Sequence, residues 1–143
     1  MKNAIRLMAA CLPLSWTGPV RAATPLPDGT YIYSDFCAGS HGWDIAGHRV
    51  EFQHSSNGGD AVMIRFSEWG GDAGPIAATP VHFDPATGAL QFSYQTGIDD
   101  YSFDGIATAT SLTGTFEYDQ DPAILPVVPS DAPVKAKCAP GRN

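Results

Sequence analysis

From Thr30 onward, apolar side chains recur at every second position in short runs, and Gly, Pro, Asn or Asp closes each run. Alternation with period two marks strands with one buried face, and turn residues every ten or so positions mark an all-β chain. The pattern predicts strands over 30–36, 47–54, 61–69, 76–83, 89–96, 101–110 and 112–119. No window carries the i, i+3, i+4, i+7 apolar stripe of a helix, nothing repeats at a fixed period, and nothing marks a second domain. Short loops between consecutive strands predict a small antiparallel meander barrel of seven to eight strands, with a flattened β-sandwich as the alternative. From Asp121 to Asn143 the chain is Pro-rich and predicts an extended tail over the sheet surface.

Two turns set the expected pairing. In Asp84-Pro85-Ala86-Thr87-Gly88, Pro presets φ and Gly can take positive φ, so the turn predicts Phe83 opposite Leu90, Val81 opposite Phe92 and Thr79 opposite Tyr94. Around Asn57-Gly58-Gly59 two registers compete. A two-residue turn sets Phe52 opposite Met63 and Val50 opposite Arg65. A three-residue loop instead pairs Phe52 with Ile64, Val50 with Phe66 and His54 with Val62. The second buries Val50, Phe52, Val62, Ile64 and Phe66 together and leaves Arg65 outside, so burial selects it. It also brings His48 opposite Glu68.

The N-terminus predicts export. Lys2 and Arg6 precede an apolar core over Leu7–Trp16, and Val20-Arg21-Ala22 supplies the small residues of a cleavage site, so residues 1–22 read as a signal peptide and 23–143 as one domain. This implies a periplasmic or secreted location of bacterial type. Removal of Lys2, Arg6 and Arg21, with no acidic residue among them, takes the formal charge from −7 to −10. Such a chain without a basic cluster lacks the footprint of a nucleic-acid or anionic-membrane binder, and no apolar run reaches the length of a membrane span. The mature chain keeps two cysteines, Cys37 and Cys138, which in an oxidising compartment predict one disulfide.

Candidate chemistry is sparse. His48 and Glu68 form an acid–base-capable pair at the end of an apolar face, where a carboxylate favours the charged imidazole. Trp43, Trp69 and Tyr94, with His48 and Glu68, are the candidate ligand-binding residues, because amphipathic aromatics near strand ends line ligand mouths and interfaces. His48 and His54 lie about 20 Å apart along one strand, His41 sits in a loop and His82 on the opposite face from Val81 and Phe83, so no histidine metal site is expected. Asp100, Asp119 and Asp121 meet at the open end of a hairpin as weak calcium candidates, without the spacing of a calcium loop. The Gly-rich stretch Trp69–Pro75 lacks the phosphate-loop pattern and reads as a tight connection, and no nucleophile elbow occurs.

These features imply no cofactor and favour a non-catalytic role. The first expectation is an exported binding protein with a small apolar or amphipathic molecule in a barrel mouth. The second is an inhibitor or immunity-type protein whose acidic surface docks a basic protein. The third is a small hydrolase or isomerase using His48 and Glu68.

Overall fold

A computed structural model describes residues 24–39, 44–68, 71–97, 99–119, 121–135 and 137–138. It is all-β and antiparallel. Alternating apolar residues form β1 (Gly29–Ser34), the short β2 (Cys37–Ala38) and β3 (Ile45–Ala46), then β4 (His48–His54), β5 (Ala61–Glu68) and β6 (Gly71–Ala77). The second half forms β7 (Val81–Asp84), β8 (Ala89–Gln95), β9 (Asp100–Ala107), β10 (Ser111–Phe116) and β11 (Ala123–Pro126). One sheet runs β1-β4-β5-β6, the other β11-β10-β9-β8-β7, and β2 pairs with β3. The strands fall into two facing sheets rather than one closed ladder, so the flattened β-sandwich, the alternative to the meander barrel, is the form taken.

The inner faces meet in one core. Tyr33, Val50, Phe52, Val62 and Ile64 of the first sheet and Leu90, Leu112 and Leu125 of the second are fully buried. Aromatic contacts knit the two layers: Phe52 meets Phe83 edge-on at 5.1 Å and Phe66 meets Tyr94 at 5.6 Å. The Tyr33 hydroxyl crosses the gap to donate to the Thr108 carbonyl at 2.8 Å.

The β7–β8 hairpin follows expectation. Val81 faces Phe92 and Phe83 faces Leu90. Gly88, at φ 77°, closes the turn by donating to the Asp84 carbonyl at 2.7 Å. At its far end Thr79 bonds to Ser93 rather than lying square to Tyr94.

Elsewhere the expectations need correction. The face assignment of β4 and β5 holds, with Val50, Phe52, Val62, Ile64 and Phe66 buried and Arg65 exposed. The register is two residues away: Phe52 pairs with Val62, Val50 with Ile64, and His48 with Phe66. The connecting loop is longer than three residues because Asp60 accepts from the Ser55 N–H and holds the His54 imidazole, stopping the ladder at Gln53–Ala61. Residues 76–83 are not one strand. Pro80 has no N–H to continue a ladder, and the chain leaves the first sheet at Ala77 and joins the second at Val81. The Gly-rich stretch is a strand rather than a loop: β6 starts at Gly71 and carries Gly74 and Pro75 opposite a bulge between Ile64 and Phe66. An edge strand tolerates Pro there. The tail is not merely laid on the surface. Leu125 and Ala123 enter the core, and β11 pairs with β10.

Candidate functional site

Of the residues singled out from the sequence, His48, Tyr94 and Asp119 gather at one end of the sandwich. Asp35 and Gly47 build the corner that aims His48. The buried Asp35 carboxylate accepts the His48 N–H at 2.7 Å, and the Asp35 N–H returns a bond to the His48 carbonyl at 3.1 Å. Gly47, at φ 105°, passes so close to the Asp35 carboxylate that a Cβ there would collide with it. The His48 ring then lies flat on Phe116, centroids 3.8 Å apart and 7° from parallel, with Nε2 3.9 Å from Asp119 Oδ2.

Aromatic rings extend this floor. Phe66, paired with His48, touches Tyr94 at 5.6 Å and Tyr101 at 5.8 Å. Tyr94 and Tyr101 stack at 5.3 Å, and Tyr118 meets Tyr101 edge-on at 5.0 Å. The series runs from buried to open: Tyr94 is 3% exposed and Tyr118 66%. Glu117, Asp119 and Asp121 flank Tyr118 in sequence, and Asp99 and Asp100 lie before Tyr101.

His48 and Tyr94 are thus brought to one end through Phe66. Glu68 is not directly opposite His48. It lies two positions beyond Phe66 on β5, and its backbone pairs with Gly71. Trp43 and Trp69 fall outside the described residues, as does the expected signal peptide over 1–22. Of the calcium candidates, Asp100 accepts from the Gln95 amide and Asp119 faces His48. Among the described residues no group of three or more His, Cys, Asp or Glu side chains is placed to hold a metal ion.

The opposite end holds a group that sequence reasoning missed. His54 is buried, with Nδ1 2.8 Å from Asp60 Oδ1 and Nε2 3.9 Å from Asp28 Oδ1. Phe83 meets its ring edge-on at 4.8 Å. Asp28 also accepts from the Ser56 N–H at 2.8 Å and hydroxyl at 2.9 Å, and these two bonds hold its carboxyl below the usual range. The Ser56 hydroxyl faces Asp28 rather than the imidazole, so the group anchors the loop instead of forming a nucleophile–base relay. The clue was present: His54 and Asp60 bracket the Ser-Ser-Asn-Gly-Gly loop, and a loop-closing carboxylate stops a ladder as firmly as a glycine turn.

Burial pushes the hydroxyls of Tyr33 and Tyr94 above the ordinary tyrosine value, Tyr33 helped by Tyr31, Tyr94 by Tyr101 and Asp119. Both stay protonated in the folded chain at a pH where the unfolded chain ionises. Their contribution is therefore intact below about pH 10 and is lost above it, at about 1.4 kcal/mol per pH unit for each group. Urea midpoints between pH 8 and 11.5 should fall steeply above 10, and Tyr94→Phe should flatten that fall. An unchanged slope in the variant would remove Tyr94 from the alkaline transition.

Comparison with known proteins adds no family: no family model, curated protein or solved structure matches the chain.

Proposed function

We propose that the chain is an exported, non-catalytic binding protein that docks a basic partner protein through the tyrosine-bearing, acidic end of the sandwich. The observation that carries this reading is Tyr118, a large ring 66% exposed and held edge-on by Tyr101. It stands between Glu117 and Asp119 in a chain of formal charge −7. An exposed tyrosine that is already oriented loses little freedom on binding, and carboxylates around it attract cationic side chains and suppress anionic partners. A small ligand between the sheets would need the space that Tyr33, Phe52, Ile64 and Leu90 fill. Binding on the outer rim needs none.

The test is native mass spectrometry of the protein purified from the envelope of its own host. A retained protein of basic pI is expected. Its yield should drop on raising salt, and Tyr118→Ala should weaken its binding by about 30-fold, the effect of losing a central aromatic anchor. A retained small molecule with no protein, or a partner held equally well by Tyr118→Ala, would overturn the reading.

A further inference from the structure

Extended chain closes both seams between the two sheets. At the β1–β11 seam, Val127 donates to Thr110 at 2.9 Å and Val128 to Ile32 at 2.7 Å, so two consecutive residues bond to both sheets. At the β6–β7 seam, Ala78 donates to Val62 at 2.9 Å and Thr79 to Ser93 at 2.6 Å. Beyond Pro80 that second closure stops. β7 is the terminal strand of its sheet, and a cleft of about 520 Å³ lies between it and the Gly59–Asp60 end of the β4–β5 loop.

The backbone of β7 is aimed at that cleft. Ser93 donates to the Pro80 carbonyl at 3.2 Å, and hydrogen-bonded pairs recur at every second position in an antiparallel ladder. His82–Gln91 and Asp84–Ala89 are then the bonded pairs with β8. The N–H and C=O groups of Val81 and Phe83 accordingly point the other way, to the open edge. The ladder on the far side of β8 agrees in phase, because Ala107 donates to Gly88 at 2.8 Å and Thr96 to the Asp99 carbonyl at 2.9 Å, which assigns the even-numbered residues of β8 to β9.

We propose that this edge accepts an extended, cationic peptide segment of a partner protein as an added strand. Main-chain bonds to Val81 and Phe83 supply the register, as in strand addition generally. The chemistry of the walls selects the side chains. Asp60 stands on one wall and Asp84 on the other, Gln91 adds a polar amide, and the cleft lining carries no Lys or Arg. Asp84 is held charged by the Thr87 hydroxyl at 2.7 Å and the Ala86 N–H at 2.9 Å, which push its carboxyl below the usual range. Gly59 leaves open space where a side chain would stand, so a bulky basic side chain can pass. The site lies at the opposite end of the molecule from Tyr118 and stands independently of the docking surface proposed there.

The experiment uses the oxidised, isotope-labelled mature chain and a capped tetrapeptide of alternating Arg and Val. Backbone amide shifts are expected at Val81, Phe83, Gly59 and Asp60, with slowed hydrogen exchange at Val81 and Phe83. A peptide N-methylated at alternate residues keeps charge and side chains but loses main-chain bonding, and should bind at least tenfold more weakly. Asp84→Asn keeps the bond from the Ala86 N–H, turns the Thr87 contact into an amide N–H donating to the hydroxyl oxygen, and should weaken the parent peptide roughly threefold. Arginine amide serves as the small-cation control. Equal binding by the parent and N-methylated peptides, the same shifts with arginine amide alone, or no shifts at these four residues would each overturn strand addition.

Discussion

Adding one methyl group at Gly114 should destabilise the fold by about 3 kcal/mol, and adding an isopropyl group by more. Gly114 on β10 pairs directly with Gly105 on β9, and both lie on the inner face with Phe103 and Phe116. A Cβ on Gly114 would stand 2.6 Å from the Gly105 Cα and 2.6 Å from the Phe103 ring, and would also strike the Asp104 carbonyl. The paired glycines form a trough that the Phe103 ring fills in place of two side chains. That ring is fixed on both flanks, stacked on Phe92 at 5.0 Å and tilted on Phe116 at 4.7 Å. The backbone has no room to yield, since β10 bonds to β9 on one side and β11 on the other. Overpacking of this kind costs about 1–3 kcal/mol, and displacing Phe103 forfeits core contacts in addition. Urea denaturation of Gly114→Ala and Gly114→Val checks the expectation, with Thr115→Val on the exposed face as a control that should stay within about 0.5 kcal/mol. A Gly114→Ala variant within 0.5 kcal/mol of the parent would mean that Phe103 has somewhere else to go.

The paired glycines also show what kind of information the sequence carries. The strands over 101–110 and 112–119 were legible from alternation alone, and an interior glycine in a strand signals a close backbone approach. What alternation cannot reveal is which glycine faces which. The same limit explains the β4–β5 register. Period-two burial fixes parity, so Val62, Ile64 and Phe66 were assigned to the correct face, but a shift of two residues leaves that face unchanged. The choice between pairing Phe52 with Ile64 or with Val62 was made by Asp60, through bonds to Ser55 and His54 that no hydrophobic pattern records. His48 consequently met Phe66 rather than Glu68. Its neighbours Phe116 and Asp119 arrive from the other sheet, where only tertiary packing brings them. The tail was misjudged for a different reason. A Pro-rich composition reads as irregular chain, yet Ala123–Pro126 has no proline before its last position and can pair along its whole length.

Cutting the Cys37–Cys138 bridge should cost about 2–4 kcal/mol and lower the melting temperature by on the order of 10 °C. The two cysteines are 101 residues apart in sequence, and their Cα atoms lie 4.9 Å apart in the fold. Chain-entropy arithmetic assigns a closed loop of about that length roughly 4.7 kcal/mol, with measured values commonly lower. The bridge does not hold the tail unaided. Ala38 donates to Lys135 at 2.8 Å, Lys135 to Phe36 at 3.1 Å and Cys138 to Ala38 at 3.0 Å, while Arg49 Nη2 donates to the Ser130 carbonyl at 2.6 Å. These bonds are exposed or near exposed strand ends, so they are the first to open once the covalent tie is gone. Leu125 and Ala123, buried in the core, keep β11 in place. The double variant Cys37→Ser/Cys138→Ser should therefore retain its sheet signal and its slow exchange in β4, β5 and β9, while residues 127–135 exchange much faster. The loss should appear in the melting temperature and in the tail, not in the core amides. A variant that melts within about 2 °C of the parent, with 127–135 still protected, would show that hydrogen bonds alone hold the tail and that the long loop is already restricted in the unfolded chain.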